Sequence, residues 1–498
     1  MTAVVLFHAG VAQFAGGFIG VDVFFVISGF LIAGLLLDEH DQHGRIDLAN
    51  FWARRARRIL PALIAVVAVV VIAGREVLLP WAFNDLVHSA RSTGLSIANL
   101  HFWRLSGDYF SPTLERAPLL HMWSLGVEEQ FYLALPIVMA VALRAGRRRM
   151  VAIVLAAIGL GSFTWMIVVS ASDLRSAFYL PQYRAWELLL GAMVAMARRR
   201  LSALGPRASS MLSWSGITAV VAAVVTFDHT THFPGVWALL PTVGTAALIA
   251  AGVPQRTEGL SMRLLCAAPV QRVGRWSYSW YLWHWPAIVL VRQWSGKDSL
   301  GRDLLVCAIT LGISAISFRY VESPFRSGRT ILRASRPGHV LALGATALAL
   351  TVTCTTLLIN QYVSSAPPTG ITAVPPLSSP EVEPGAPTTT WPPDVDWSDP
   401  ARLEQLQGSR SPLSLDCAKP EPPRVFDPSC VVIEGTPTVV LIGDSHAAHL
   451  APAVASIATS RGWGLVVSSF PACPLVPGAR FGAKGTTFEG CSSWINGA

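Results

Sequence analysis

The sequence predicts an all-α polytopic membrane protein that carries a small α/β unit at its C-terminal end. Hydrophobic residues make up 52% of the 498 positions and charged residues only 14%, a balance typical of multi-pass membrane proteins. The apolar runs are long enough to cross about 30 Å of hydrocarbon. The α/β unit is indicated by a β-rich run at 438–444, helix-like sequence at 447–460 and a second β-rich run at 464–469.

Ten apolar runs predict membrane-spanning helices, and residues 1–14 resemble the end of one more, which gives 10–11 spans. The runs lie at 18–37, 59–80, 119–143, 150–171, 183–198, 212–227, 235–252, 277–294, 302–321 and 339–362. Arginines cluster in every second connecting loop, beginning with the loop that holds residues 54–58. By the positive-inside rule, these loops are cytoplasmic, while the long loop 81–118 and everything after about 363 lie outside. The net charge of +8 therefore reflects topology, and no nucleic-acid partner is expected.

The C-terminal third divides into a linker and a compact piece. Residues 363–414 are rich in Pro, Ser and Thr, a composition typical of extended linkers. Residues 415–498 contain the two β-rich runs, which are fewer strands than such a sheet normally has. The seven cysteines show no metal-ligand spacing, and the four in the tail are expected to be oxidised outside the cell.

Ionisable residues in the first apolar stretch, residues 7–32, indicate chemistry in the membrane. His8 and Asp22 lie there, and ionisable side chains at membrane depth are costly and usually functional. A neutral imidazole can take a proton from an attacking hydroxyl, which makes His8 a candidate general base. The structural alternative for His8 is a satisfied hydrogen bond between helices.

Two later stretches add further candidates. Glu128 and Glu129 lie about two turns into a predicted helix preceded by His121, and only one of two adjacent glutamates is expected to face inward. The alternative places both at the outer interface, in water. His284 lies among five aromatic residues, before Pro286, which is expected to kink the helix. Aromatic residues alone would indicate an interfacial belt, but a second histidine at membrane depth points to a site.

Charged residues elsewhere allow structural and functional interpretations. Arg184 and Glu187 are three residues apart on one helical face, so a structural ion pair is at least as good an interpretation as a catalytic one. The basic group at 54–58 fixes topology and is also a hypothetical site for a phosphate-bearing donor.

Ser445 follows the first β-rich run in the sequence LIGDSHAAHL. A strand entering Gly-Asp-Ser and then a helix presents a serine at a tight turn, beside backbone N–H groups that can hold an oxyanion. A serine nucleophile needs a base, and the only histidines after Ser445 are His446 and His449. We therefore expect residues 415–498, expressed alone, to be unstable and inactive as an esterase.

Seven stretches follow one another along the chain: FHAG, GGFIGVDVFFVISGFLI, FWARRARRILPAL, HMWSLGVEEQFYLALP, YRAWELLLGA, YSWYLWHWP and YVESPFR. Through them, residues 1–326 resemble the membrane acyltransferase-3 family, which includes O-acetyltransferases of cell-envelope polysaccharides, and the tail from 438 is similar to the start of an SGNH (GDSL-like) domain. The resemblance divides the chain into a membrane domain at 1–326, an additional helix at 339–362, the linker 363–414 and a partial SGNH-like domain at 415–498.

The resemblance implies transfer of an acyl group, usually acetyl, from cytoplasmic acyl-CoA as co-substrate, with no permanently bound cofactor or metal. The acceptor would be a hydroxyl of an extracytoplasmic envelope glycan or glycolipid, and the protein would be a multi-pass protein of the plasma membrane. Catalytic roles are implied for His8, Glu129, His284 and Ser445, and donor-binding roles for Arg54, Arg57, Arg58, Arg184 and Glu187.

Two departures from the family pattern define the alternatives. The family arginine eleven residues before the histidine would precede Met1, and the late Asp-x-x-His of SGNH domains does not occur before residue 498. These departures predict a chain trimmed at both ends, and an inactive remnant is one alternative. A transporter or flippase of lipid-linked sugars is another, although no internal repeat of the kind found in many transporters is evident.

Overall fold

The structure is a computed structural model that describes most of the first 365 residues and short parts of the tail. The described residues are 1–105, 116–144, 148–254, 259–296, 298–326, 336–365, 431–433, 438–443, 454 and 461–469. The chain forms two compact units. One comprises Met1–Trp294 and Asp298–Gln361, and the other comprises Ser295–Lys297 and Tyr362–Ala498.

All regular secondary structure described in the first unit is helical. Its first nine helices are α1 (Thr2–His8), α2 (Gly20–His43), α3 (Leu48–Val77), α4 (Pro80–Gly94), α5 (Ala98–Leu105), α6 (Met122–Arg144), α7 (Arg148–Ser170), α8 (Leu174–Tyr179) and α9 (Pro181–Met196). There follow α10 (Arg198–Leu201), α11 (Pro206–Thr226), α12 (Leu239–Gly252), α13 (Leu260–Leu265), α14 (Ala268–Ser295), α15 (Leu300–Ser317), α16 (Ser323–Arg326) and α17 (Pro337–Ser365), the last of which continues into the second unit. Short 3₁₀ helices cover Ala12–Ile19 and Val236–Ala238, and a π-helical turn covers Phe318–Glu322.

Seven helical stretches in the described part of the chain are long and apolar enough to cross a membrane. They are Ala12–His43, Leu48–Val77, Met122–Arg144, Arg148–Ser170, Pro206–Thr226, Leu300–Arg326 and Pro337–Leu357. This confirms the prediction of a multi-pass helical membrane protein. Helices also cover the remaining predicted runs, but α9 has only 16 residues, Val236–Gly252 is short as well, and α14 is rich in Trp and Tyr.

The first predicted run, residues 1–14, is not one continuous helix. Helix α1 ends at His8, and the chain turns at Gly10, whose φ of 83° is a left-handed conformation that glycine adopts without steric cost. A 3₁₀ helix then leads into α2. His8 therefore lies at a helix end beside a sharp turn, not inside a continuous span.

Two helices begin earlier than predicted, and their added N-terminal parts contain arginines. Helix α3 begins at Leu48, where the Asp47 side chain accepts a hydrogen bond from the backbone N–H of Asn50 at 3.0 Å. The arginines at 54–58 are thus on a helix and not in a loop. Helix α14 likewise begins at Ala268, before Arg275. Arginine permits this because its aliphatic stem lies along an apolar helix surface while the guanidinium reaches polar surroundings.

The predicted long loop 81–118 is largely helical, because α4 and α5 occupy much of it. Polar contacts with α6 hold the turn between these two helices. The Gln130 amide donates to the carbonyl oxygen of Ser96 and to Asn99 Oδ1, both at 2.9 Å. The Asn99 amide in turn donates to the Tyr179 carbonyl at 3.2 Å. Up to residue 105, the segment therefore packs against the helical unit as two short helices.

Helices α2 and α9 pack backbone to backbone through two glycines. A Cβ added to Gly29 would lie 1.7 Å from the Leu188 carbonyl oxygen, and one added to Gly191 would lie 1.9 Å from the Val26 carbonyl oxygen. Small residues at such positions allow close approach of membrane helices. The contact is reciprocal, and Asp22 on α2 meets Arg184 on α9.

We expect Gly29→Ala to lower the thermal stability of the detergent-solubilised protein strongly, because the atom that the methyl group meets is a backbone oxygen that cannot rotate away. Overpacking of this kind costs roughly 1–3 kcal/mol or more. The matched control is Gly161→Ala on α7, where an added Cβ meets nothing within 4 Å. Equal melting temperatures for the two variants, measured by size-exclusion chromatography after heating, would contradict this packing.

The second unit contains three described strands: β1 (Val431–Ile433), β2 (Thr438–Gly443) and β3 (Gly464–Ser469). They form a sheet in the order β1-β3-β2, in which β2 and β3 are parallel and β1 is antiparallel to β3. Both predicted strands are confirmed, and β1 was not predicted. Ser445 and nearly all of the predicted helix 447–460 lie outside the described residues, so the α/β fold of 415–498 stays a prediction.

Candidate active site

The structure brings two of the predicted catalytic residues into direct contact. His8 Nδ1 lies 2.9 Å from His284 Nε2, although the two residues are 276 positions apart. The rings are nearly parallel, with centroids 5.1 Å apart and planes inclined by 19°. His284 is fully buried, and His8 is half-buried at the end of α1. Two short apolar motifs thus form one polar centre.

The hydrogen bonds around the pair determine the proton positions. His284 Nδ1 lies 2.9 Å from the Trp280 carbonyl oxygen and 2.8 Å from that of Tyr281. Carbonyl oxygens only accept hydrogen bonds, so Nδ1 carries the proton and Nε2 is an acceptor. His8 Nδ1 must then be the donor to His284 Nε2. The neutral His8 ring therefore has its lone pair on Nε2, which is the state a general base requires.

His121, Ser124 and Tyr281 surround this pair. The Tyr281 hydroxyl donates to the His121 carbonyl oxygen at 2.6 Å and lies 2.6 Å from the Ser124 hydroxyl. The buried His121 ring lies with its centroid 5.7 Å from that of His284. Sequence reasoning missed the roles of Ser124 and Tyr281. The sequence did contain a signal for them: Ser124 follows His121 by three residues and Tyr281 precedes His284 by three, so each lies about one helical turn from a histidine.

Glu128 and Glu129 form a second polar group, on α6. Glu128 accepts a hydrogen bond from Ser28 at 2.5 Å and another from the Tyr132 hydroxyl. Glu129 lines a small cavity with residues of α3 such as Ile59. Both glutamates therefore contact the interior, which corrects the prediction that only one could. Adjacent helical residues point about 100° apart, but α6 has neighbours on several sides, so each glutamate meets a different helix.

The predicted donor-binding arginines lie near the start of α3. Arg54 is exposed and pairs with Glu39 on α2 at 2.7 Å. Arg57 and Arg58 are half-buried. The guanidinium carbon of Arg55 lies 5.4 Å from the centre of the Tyr132 ring, so a cation–π contact joins this basic group to the Glu128 cluster.

Arg184 and Glu187 form a buried charged group with Asp22. Arg184 Nη2 donates to Asp22 Oδ1 at 2.8 Å, and Arg184 Nη1 lies 3.2 Å from Glu187 Oε1. The second distance marks an ion pair that lacks hydrogen-bond alignment. All three side chains are at most 1% exposed, and the rings of Phe25, Phe178 and Phe233 lie 5.7–5.8 Å from the guanidinium carbon. Sequence reasoning identified the pair within α9 and singled out Asp22 separately, but it did not connect Asp22 with Arg184.

The predicted site residues thus occupy three groups and one undescribed position. His8 and His284 form the first group, Glu129 and the α3 arginines belong to the second, and Arg184 with Glu187 belongs to the third. Ser445 lies outside the described residues. Among the residues with described positions, no three His, Cys, Asp or Glu side chains come together as a metal-binding group.

Comparison with known proteins adds a family context. The family model for an acyltransferase domain, Acyl_transf_3, matches residues 1–319, and that for an SGNH domain fused to such domains matches residues 416–496. The peptidoglycan O-acetyltransferase OatA of Listeria monocytogenes is 31% identical over 335 residues, which cover 65% of this chain and 54% of the relative. The O-acetyltransferase OatA of Staphylococcus aureus is 29% identical over 336 residues, covering 65% and 55%. The chain thus spans about half the length of these relatives, and no solved structure matches it.

Proposed function

The chain belongs to the acyltransferase-3 family, and from this premise we propose that it transfers an acyl group from acyl-CoA to a hydroxyl of a cell-envelope glycan or glycolipid. Acetyl is the proposed group and peptidoglycan the proposed glycan, because similar proteins are named as peptidoglycan O-acetyltransferases. Family membership favours acyl transfer over the alternative of lipid-linked sugar transport. The reaction belongs at the plasma membrane, where such glycans are accessible on the outer face.

The hydrogen-bonded pair of His8 and His284 is the observation that carries this proposal. His8 Nε2 takes the proton of an attacking hydroxyl, and the hydroxyl oxygen then forms a bond to the carbonyl carbon of the thioester. The carbon–sulfur bond breaks, and the departing thiolate receives the proton from His8. His284 fixes the tautomer of His8 and accepts a hydrogen bond from its Nδ1 throughout. Pairing a base with an orienting group is the general pattern of activated nucleophiles.

The distance between the α3 arginines and the histidine pair supports the proposal that acyl-CoA enters from the side of the membrane domain where these arginines lie. The Tyr278 hydroxyl on α14 donates to the Ile59 carbonyl oxygen at 3.0 Å, directly after Arg58 on α3. His284 lies six residues further along α14, which is about 9 Å of helical rise. We propose that Arg54, Arg57 and Arg58 hold the phosphates of acyl-CoA and that its flexible thiol arm spans this depth. Glu129 lines a small cavity beside Ile59 and is proposed to contact that arm.

Ser445 is proposed to take part in the transfer of the acyl group to the glycan on the outer side of the membrane. Its hydroxyl would accept the acyl group from the thioester as an ester and then pass it to the glycan hydroxyl, with a proton returned to Ser445 Oγ. This two-step route predicts that Ser445→Ala membranes do not acylate glycan and still release CoA slowly, because water replaces the serine hydroxyl as acceptor and the acyl group leaves as the free acid. Equal glycan acylation by the variant and the wild type would remove Ser445 from the route.

Acetyl-CoA labelled in its acetyl group, supplied to inverted membrane vesicles that contain the chain, tests the function directly. An acyltransferase releases free CoA and produces acetylated glycan inside the vesicles. A sugar flippase moves lipid-linked sugar without releasing CoA, and an inactive remnant does neither. Either of these last two results would overturn the proposal.

The proposed orientation makes a separate prediction about accessible thiols. Cys266 is exposed after α13, on the side that the arginine distribution assigns to the cytoplasm, and Ser172 is exposed between α7 and α8 on the opposite side. In a background without other cysteines, a membrane-impermeant maleimide applied to intact cells should label Ser172→Cys at once. Cys266 should react only after permeabilisation. The reverse pattern would invert the topology and with it the side from which the donor enters.

A further inference from the structure

The C-terminal end of α1 is completed by a side chain of α14. The last carbonyl groups of a helix have no partner within the helix. In α1, the turn at Gly10 provides partners for Val5, Leu6 and Phe7, because the backbone N–H groups of Ala9, Val11 and Gly10 donate to their oxygens at 2.9–3.0 Å. The carbonyl oxygen of His8 instead accepts a hydrogen bond from Arg292 Nη2 at 2.9 Å.

Arg292 is itself held by a buried carboxylate. Its Nε donates to Asp303 Oδ2 at 2.8 Å, and Asp303 is 1% exposed. Asp303 lies in the first turn of α15, where the helix dipole favours a negative charge. Its other oxygen accepts from Arg302 Nη2 at 3.2 Å. The exposed Asp298 is 3.9 Å from Arg292 Nε, at the limit of an ion pair.

These contacts attach His8 to α14 at two points. The imidazole of His8 bonds to His284, and its backbone carbonyl bonds to Arg292, two helical turns further along the same helix. We infer that Arg292 and Asp303 are positioning residues that fix the backbone of His8, so that its Nε2 points toward the reacting groups. This inference rests on the proposed role of His8 as the general base.

The double attachment matters because α1 ends at His8 and the chain turns sharply two residues later. One ring-to-ring hydrogen bond leaves the imidazole free to pivot with its backbone. Displacing a catalytic group by about 1 Å can cost roughly 100-fold in rate. Removing the Arg292 contact should therefore affect the chemical step and not the binding of the donor, because the phosphate-binding residues proposed above lie on α3.

The test compares three variants of the full chain in membranes: Arg292→Gln, Asp303→Asn and, as the matched control, Arg302→Gln. Arg302 contacts the same carboxylate from α15, whereas the bond to the His8 carbonyl comes from Arg292. We expect Arg292→Gln to lower kcat by about 10- to 100-fold, with the KM for acetyl-CoA unchanged. Asp303→Asn should lower kcat less. The kcat of Arg302→Gln should stay near that of the wild type. Arg292→Lys should restore part of kcat, because it keeps a donor but cannot make both contacts.

Melting temperatures of the solubilised variants separate positioning from folding. The inference is supported if kcat falls while KM and the melting temperature stay near wild type. It is overturned if Arg292→Gln retains full kcat, or if kcat falls only in proportion to loss of folded protein. If Arg292→Gln fails to fold, Arg292→Lys is used instead. A lowered kcat in folded Arg292→Lys supports the inference, and a wild-type kcat overturns it. Full activity of His8→Ala would instead overturn the proposed base, so the two failures are distinguishable.

Discussion

Replacing His8 with alanine is expected to reduce acyl transfer to background while the protein still inserts and folds. A positioned general base contributes typically 10²–10⁴-fold to a rate, and the structure shows no second imidazole in the described residues that forms the same bond to His284. The side chain is half-buried at a helix end, so its loss removes little packing. Release of free CoA and acetylation of glycan should be measured in the same membranes.

His43→Ala is the matched control for this experiment. His43 is exposed at the end of α2, and its ring Nδ1 lies 3.2 Å from the Glu39 carbonyl oxygen, far along the chain from α1 and α14. It should retain wild-type activity. His284→Ala should be slower than wild type but faster than His8→Ala, because the base remains while its tautomer is no longer fixed. Near-wild-type acylation by His8→Ala would remove His8 from the mechanism.

The second large effect is expected from Arg184→Gln, which should severely lower stability and the yield of folded protein. The substitution leaves Asp22 and Glu187 buried together without their cation, and it removes the contacts of Arg184 with three phenyl rings. Removing one partner of a buried ion pair costs about 3–5 kcal/mol. Thermal unfolding in detergent, followed by tryptophan fluorescence, should show a transition many degrees lower.

The triple variant Asp22→Asn, Arg184→Gln, Glu187→Gln separates the structural role of these residues from a role in donor binding. It removes the charges together, so no uncompensated carboxylate remains, and much of the lost stability should return. Binding of acetyl-CoA to this variant then tests the donor-binding role predicted for Arg184 and Glu187. Unchanged affinity would assign these residues to structure alone. A wild-type melting temperature for Arg184→Gln itself would contradict the ion-pair account.

Long apolar runs made the helices of the first unit predictable. The predicted runs 119–143 and 150–171 differ by only a few residues from α6 and α7, because a bilayer requires about 20 apolar residues in succession. The starts of α3 and α14 could not be predicted in this way. Amphipathic first turns rich in arginine do not differ in hydropathy from a loop, although they continue the same helix.

Contacts between helices that are distant in the chain could not be predicted from the sequence. His8 and His284 were each identified as site residues, but nothing in their spacing shows that the rings meet. The pairing of Asp22 with Arg184 could have been inferred more readily. Buried charges in a membrane require partners, and apart from Arg198 at the last position, Asp22, Arg184 and Glu187 were the charges found in the predicted spans 18–37 and 183–198.

The glycine contacts between α2 and α9 also limit how the protein can move during turnover. A slide of one helical turn, about 5.4 Å, would replace Gly29 with Phe25 or Ala33, and either Cβ would need the space that the Leu188 carbonyl oxygen occupies. The reciprocal contact of Gly191 blocks the same motion from the other side. These two helices therefore cannot slide past each other, and any sliding rearrangement that admits the donor or releases CoA must be provided by other helices.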